Sequence, residues 1–167
     1  NNLKQAAKTM NFLTEHGISS YGELESKLTA ISARRDTAHA EIKRIESRSA
    51  ELALVMKHAG TYRQLKPLYD RYRKSNDKEK FLRGHESEII LFEAAARELK
   101  RLGAVPLPTT ESMKTELANL NAEKERLLAE YKAARAEAQE YETVKQNVDA
   151  LLTVPKEQEQ QRRHELE

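Results

Sequence analysis

Apolar residues recur along this chain in steps of three and four, and over two long stretches they do so almost without a break. From Leu24 the steps fall on Leu28, Ile31, Arg35, Ala38, Ile42, Ile45, Ser49, Leu52 and Met56, eight of the ten positions being apolar. From Met113 they fall on Leu117, Leu120, Lys124, Leu127, Tyr131, Ala134, Ala138, Tyr141, Lys145, Val148 and Leu152, ten of twelve apolar when Tyr and Ala are counted. A seven-residue repeat of this kind marks a narrow helix–helix seam, not the broad face of a globular core. It predicts long helices over 20–59 and 109–153, each about 40 residues and about 60 Å long. Matching lengths on either side of an intervening segment favour one antiparallel hairpin. A parallel homodimer using each seam separately is the competing geometry, disfavoured because an intramolecular partner has a high effective concentration.

Cap signals set the boundaries. A shorter helix over 3–16 follows from Leu3, Ala6 or Ala7, Met10 and Leu13, with Gly17 placed for a left-handed C-terminal turn and Ile18 as its hydrophobic contact. "SYGE" has capping-box spacing from Ser20 to Glu23 and opens the first long helix, which Gly60 is expected to end. After Pro106 and Pro108, Thr109 or Thr110 can cap the second, with Glu111 near its positive end. Pro155 is expected to stop that helix and leave 156–167 as a polar, fraying tail. Residues 61–103 read as a two-helix insertion at the hairpin's tip. Thr61 with Gln64 resembles a capping box, Pro67 kinks or starts the first helix, and "KSNDKEK" is a turn where Ser75 or Asn76 could cap the second. That second helix carries Phe81, Ile89, Phe92, Ala96 and Leu99 and ends at Gly103. Its run "EIILFEAAA" would form a small core under Leu65, Leu68, Tyr69 and Tyr72. The expected fold is therefore all-α: a long antiparallel coiled-coil hairpin with a short N-terminal helix and a two-helix tip, residues 1–167 forming a single elongated unit.

Composition agrees with narrow seams. Charged residues make up 34% and hydrophobic ones 38%, with 3 Phe and no Trp, too few large apolar side chains for a thick core. The charge balance also suits the hairpin: residues 1–59 carry nine basic and seven acidic side chains, whereas 104–167 carry nine and thirteen. The absence of cysteine removes disulfides and thiolate metal sites. With no apolar run of membrane-spanning length and no signal peptide, no membrane insertion is expected and the bacterial cytoplasm is the expected compartment. The opening "NNLK" and the polar end suggest a piece of a longer protein.

Candidate chemistry is sparse. The five histidines, His16, His39, His58, His85 and His164, include no pair at metal-binding helical spacing, and His16 and His58 suit the C-terminal ends of their helices. The glycines are isolated, so no phosphate-cradling loop is present, and no nucleophile–base arrangement is recognisable. No catalytic residue, metal ligand or cofactor is assigned, and this chain is expected not to be an enzyme. The outlier is residues 61–83, with eight basic and three acidic side chains interleaved with Tyr62, Tyr69, Tyr72 and Phe81. Arg63, Lys66, Arg71, Arg73, Lys74, Lys78, Lys80 and Arg83 are candidates for phosphate contact, with the rings available to stack on bases. The alternative is a solvated basic surface over tyrosines that serve as packing, since Leu65, Leu68 or Tyr69, and Tyr72 share a helical face.

Several segments resemble a known family in their wording. "LTEHGISSYGELESKL", "TYRQLKPLYDRYRKSNDKEKFLRGHESEIILFEAAARELKRLG" and "LPTTESMKTELANLNAEKERLLAEYKAAR" look like the region that follows the nuclease domain in relaxases, the mobilisation nucleases of conjugative elements, of a Firmicutes type. The resemblance implies an intact protein that nicks DNA with an N-terminal tyrosine and a histidine-held metal. Neither motif occurs here, so no catalytic role passes to any residue of this chain. It implies instead a non-catalytic helical module in conjugative DNA mobilisation, with DNA at the basic tip and mobilisation or secretion proteins as partner classes. A homo-oligomeric coiled-coil scaffold or adaptor without a nucleic-acid role is the alternative.

Overall fold

The computed structural model describes residues 1–166, and the side chains of all of these except 154–159. The described residues form four helices and no strand: α1 (Asn2–Glu15), α2 (Tyr21–Lys74), α3 (Lys78–Arg101) and α4 (Thr110–Leu166). The chain is thus all-α, as the periodicity predicts. It divides into two compact units, residues 1–41 with 126–167, and residues 42–125.

In the first unit, α1, the start of α2 and the second half of α4 share one core. Ile18, Leu24, Ile31, Ala138, Tyr141 and Val144 are buried together, with Phe12, Leu13, Leu28 and Val148 packed around them. Tyr21 bonds to Asp149 and Arg34 pairs with Glu137, so α2 and α4 run antiparallel here. The α1 helix departs from its expected face. Leu3 and Met10 are exposed and Thr9 is buried, because Phe12 meets Tyr141 edge-on and turns Thr9 toward α4. There Asn147 donates a 3.4 Å bond to the Thr9 hydroxyl, which lowers the cost of burying it. At the far end of the α4 seam, Leu152 is exposed, not packed as expected.

In the second unit, the remainder of α2 is antiparallel to both α3 and the start of α4. Ile42, Ile45, Leu52, Val55 and Ala59 are buried on α2, Ile89, Phe92, Ala95 and Leu99 on α3, and Met113 and Leu120 on α4. Pairs from Arg44 to Glu123 and from Arg48 to Glu116 set the α2–α4 direction.

The helix boundaries correct several expectations. The second helix does not end at Gly60: α2 is continuous to Lys74, so no separate helix begins at Thr61. Left-handed glycines occur only at Gly17 and Gly103 among the described residues, and Gly60 keeps a helical backbone. A glycine inside a helix costs about 1 kcal/mol, which burial of Leu52, Val55 and Ala59 just before it can offset. Thr61 donates to the Lys57 carbonyl one turn earlier, so it acts as an interior residue and not as a cap. Pro67 also lies inside α2, where it forgoes the amide bond to the Arg63 carbonyl. The cap of α3 is Asp77, not Ser75 or Asn76: its carboxylate accepts from the Lys80 amide at 3.1 Å. Ser75 instead accepts from the Asp77 amide and braces the turn. At the other end of the chain, α4 continues to Leu166 through the expected stop at Pro155. The Glu, Gln and Arg residues of that tail are good helix formers, which the expectation of fraying underweighted.

Other boundaries follow the predicted chemistry. Gly17 (φ 65°) and Gly103 (φ 69°) both turn left-handed at helix ends. The next residue then donates back over five positions, Ile18 to Leu13 and Ala104 to Leu99, and is itself buried. Ser20 accepts from the Glu23 amide, while the Glu23 carboxylate reaches back to the amide and hydroxyl of Ser19. Thr109 caps α4 by accepting from the Ser112 amide at 3.1 Å.

Candidate nucleic-acid interface

All eight candidate cations lie in the second unit and are exposed, but they divide into two groups. Arg63 is occupied in structure: its guanidinium donates to the Pro108 carbonyl and the Thr110 hydroxyl, tying α2 to the beginning of α4. Lys66 pairs with Asp70 one turn on, at 3.0 Å. Arg71 lies over the Phe81 ring, 5.8 Å from its centre, a cation–π contact between α2 and α3. Arg73 stands on the wall of a groove between these helices.

The other group is gathered by the α2–α3 turn. Lys74 is the last residue of α2, Lys78 and Lys80 lie in the first turn of α3, and Arg83 follows one turn later. Only Ser75, Asn76 and Asp77 separate the two helices, so the chain reversal brings these four cations to one end of the pair. A reversal this short is possible because Asp77 caps α3 at once and Ser75 holds the turn's backbone. Positive charge at the C-terminus of α2 is favourable to that helix, since it faces the negative end of the dipole. Close to the N-terminus of α3 the same charges are unfavourable, and Glu79 is the acidic residue of its first turn.

The tyrosines are structural. Phe92, buried on α3, stacks on Tyr62 at 4.8 Å and on Tyr69 at 4.3 Å between ring centres. Tyr72 lies 6.0 Å from Phe81, whose ring is 4.7 Å from that of His85. These rings form an α2–α3 seam in which Tyr69 packs on the run "EIILFEAAA" as expected, and their packing engages part of each ring that the nucleic-acid pattern would use for stacking. The α3 backbone leaves helical geometry at His85 (φ −138°, ψ 26°), next to Gly84. The basic first third of α3 therefore meets the apolar remainder at a kink, which the even apolar spacing of the sequence does not signal.

Three histidines make local contacts. The His16 ring stacks on Phe12 at 3.9 Å, with Nδ1 2.8 Å from the Phe12 carbonyl at the end of α1. His39 rests 5.6 Å from Tyr131, and His85 lies 3.8 Å from Glu88. Among the described residues no group of His, Cys, Asp or Glu is placed to hold a metal ion, and no helix is long and apolar enough to cross a membrane.

One regular feature went unread in the sequence. Glu116, Glu123, Glu130 and Glu137 stand at seven-residue intervals along α4. Three of them meet arginines of α2: Glu116 with Arg48, Glu123 with Arg44 and Glu137 with Arg34. Glu130 pairs with Arg126 on its own helix. The Arg48–Glu116 pair is bidentate, at 2.6 and 3.1 Å, and Arg48 also reaches Glu51 at 2.9 Å. Hydrogen bonds from Arg48 hold the Glu116 carboxyl below its ordinary pKa, against the desolvation that pushes it up. The spacing of the glutamates was the available signal; their partners are set by the rotation of α2, which the spacing does not give. No protein-family model, curated protein or solved structure matches the chain.

Proposed function

We propose that this chain is a non-catalytic helical module of a relaxase, serving conjugative DNA mobilisation through an auxiliary DNA contact and through protein interaction. The observation that carries the DNA contact is the cluster of Lys74, Lys78, Lys80 and Arg83 beside a three-residue turn, exposed and with no acidic partner among the described residues. The relaxase assignment draws on the wording of the three segments quoted above. Contact of this kind is electrostatic and insensitive to sequence, because lysine and arginine on phosphates carry it and phosphates are the same at every base.

Fluorescence anisotropy with labelled single-stranded and duplex oligonucleotides tests the reading. Four phosphate contacts predict a fall of log affinity with log salt of slope about −3 for single strands. Reversing the four charges together (K74E, K78E, K80E, R83E) is expected to abolish binding without loss of helicity, since all four side chains are exposed. Unchanged affinity in that variant would refute the contact. The alternative, a homo-oligomeric scaffold, draws on the exposed apolar side chains Leu3, Met10, Leu151 and Leu152 of the first unit. A dimer in sedimentation equilibrium that dissociates in a Met10→Ser, Leu152→Ser variant would favour it.

A further inference from the structure

The turn that gathers the four cations holds a carboxylate, and charge counting alone makes Asp77 a handicap to a phosphate-binding surface. Yet the bonds of the turn converge on it. Its carboxylate accepts from the Lys80 amide at 3.1 Å and its carbonyl from the Phe81 amide at 3.2 Å. Its own amide donates to the Ser75 hydroxyl at 3.3 Å, and that hydroxyl donates to the Asp77 carbonyl at 3.1 Å. The Ser75 amide in turn donates to the Tyr72 carbonyl, so the end of α2 is joined to the start of α3 through these residues. Packing adds little. No residue from Gly60 to Glu88 is buried, and Phe81 rests on α2 only at 6.0 Å from Tyr72 and 5.8 Å from Arg71. The kink at His85 interrupts α3 before its buried residues begin at Ile89. Residues 78–84 are thus about two turns of helix, too short to persist unaided, and Asp77 is their cap.

We infer that Asp77 is a positioning residue for the phosphate contact: it strengthens binding despite its own negative charge, because it holds Lys78, Lys80 and Arg83 beside Lys74. This rests on the DNA contact proposed above and gives it a sign that charge alone does not. Two opposed effects compete. Removing one exposed carboxylate near a bound phosphate strengthens the attraction by about twofold at physiological salt. Removing a helix cap shifts the balance of formed over frayed by about two- to thirtyfold, typically about fivefold. A frayed segment spreads its three cations over many arrangements, few of which meet one phosphate backbone together with Lys74. Position therefore outweighs charge at Asp77. Glu79 supplies the contrast, since it brings the same charge to the first turn of α3 while the cap belongs to Asp77. There charge alone acts, and its removal should tighten binding.

Three variants of the full chain, each losing one negative charge, separate the two effects. Asp77→Asn keeps a capping side chain, Asp77→Ala does not, and Glu79→Gln leaves the cap untouched. Affinity for a labelled single-stranded oligonucleotide is read by fluorescence anisotropy across a salt series. Both positions are exposed, and circular dichroism with a melting curve confirms that each variant is folded. Asp77→Asn and Glu79→Gln are expected to bind about twofold more tightly than wild type. Asp77→Ala is expected to bind about threefold or more weakly than Asp77→Asn, although the two carry the same charge. Its slope of log affinity on log salt should fall from about −3 toward about −1.5, the value for two phosphate contacts in place of four. A general loss of stability would leave that slope unchanged among folded molecules. Equal affinities or equal slopes for Asp77→Ala and Asp77→Asn would overturn the inference and leave the DNA contact standing. Absence of binding by the wild-type chain would overturn the DNA contact and the inference with it.

Discussion

Two polar pairs carry pH dependence of opposite sign. The Tyr21 hydroxyl donates to Asp149 at 2.7 Å, and that hydrogen bond, with smaller contributions from desolvation and nearby negative charge, pushes its pKa up to about 12. A raised pKa means that the fold favours the protonated phenol. The contribution is therefore complete below pH about 10 and lost as pH rises through about 12. Ultraviolet titration should show late-titrating tyrosines, since burial also pushes Tyr141 up, and Tyr21→Phe should remove one of them along with part of the alkaline dependence of the melting temperature. Glu116 behaves in the reverse sense. Its pKa is lowered by Arg48, so its contribution is present at neutral pH and is lost as pH falls through a value below the ordinary carboxylate range. Both side chains are about 40% exposed, and solvent screening limits the pair to about 0.2–1 kcal/mol. Glu116→Gln should lower stability by that amount at neutral pH and by nothing at pH 2, as read from urea midpoints; equal losses at both would contradict the ionic account.

At the scale of the helix, two glycines make opposite predictions. Gly60 lies inside α2 with open space around a would-be Cβ, so Gly60→Ala should stabilise the chain by about 0.5–1 kcal/mol. Gly103 has equal space but a left-handed backbone, so Gly103→Ala should destabilise it by about 1–2 kcal/mol. Thermal unfolding of the two variants should shift in opposite directions. Within the seam, Leu52 is 2% exposed, and Leu52→Ala should cost about 2–5 kcal/mol in denaturant unfolding. These sites also show how far the sequence could be read. The seams were visible because burial repeats every seven residues, the left-handed turn at Gly17 because Ile18 follows it, and Gly103 as the end of its helix. Gly60 misled because glycine allows the left-handed turn without requiring it; the outcome depends on whether the apolar face continues beyond, as it does through Tyr62 and Tyr69. The inward turn of Thr9 was hidden for a related reason: α1 has two partly apolar faces, and only the position of Phe12 against Tyr141 chooses between them.

For the whole molecule, the basic excess at residues 61–83 was evident from composition, but composition could not divide it. Three of its eight cations are engaged, Arg63 with the α4 start, Lys66 with Asp70 and Arg71 with Phe81, and the tyrosines pack on Phe92 and Phe81. Neutralising these three should therefore alter stability more than salt-dependent binding, whereas Lys74, Lys78, Lys80 and Arg83 should do the reverse. Comparing melting temperature and oligonucleotide affinity across the two triple and quadruple alanine sets checks that separation.

The glutamates of α4 carry a last consequence, for how the helices find their alignment. Because Glu116, Glu123, Glu130 and Glu137 repeat at the interval of the seam, the seven-residue slide of α4 that brings Glu123 to Arg48 would bring Glu130 to Arg44, while leaving Val144 opposite Arg34. Two of the three ion pairs between α2 and α4 thus do not distinguish the native alignment from that one. Choice between them falls to side-chain size, where Ala134 and Ala138 must meet their own neighbours and not the space shaped for Leu127 or Tyr131. The ion pairs bring the strands of this zipper together, and the alanines decide which teeth engage.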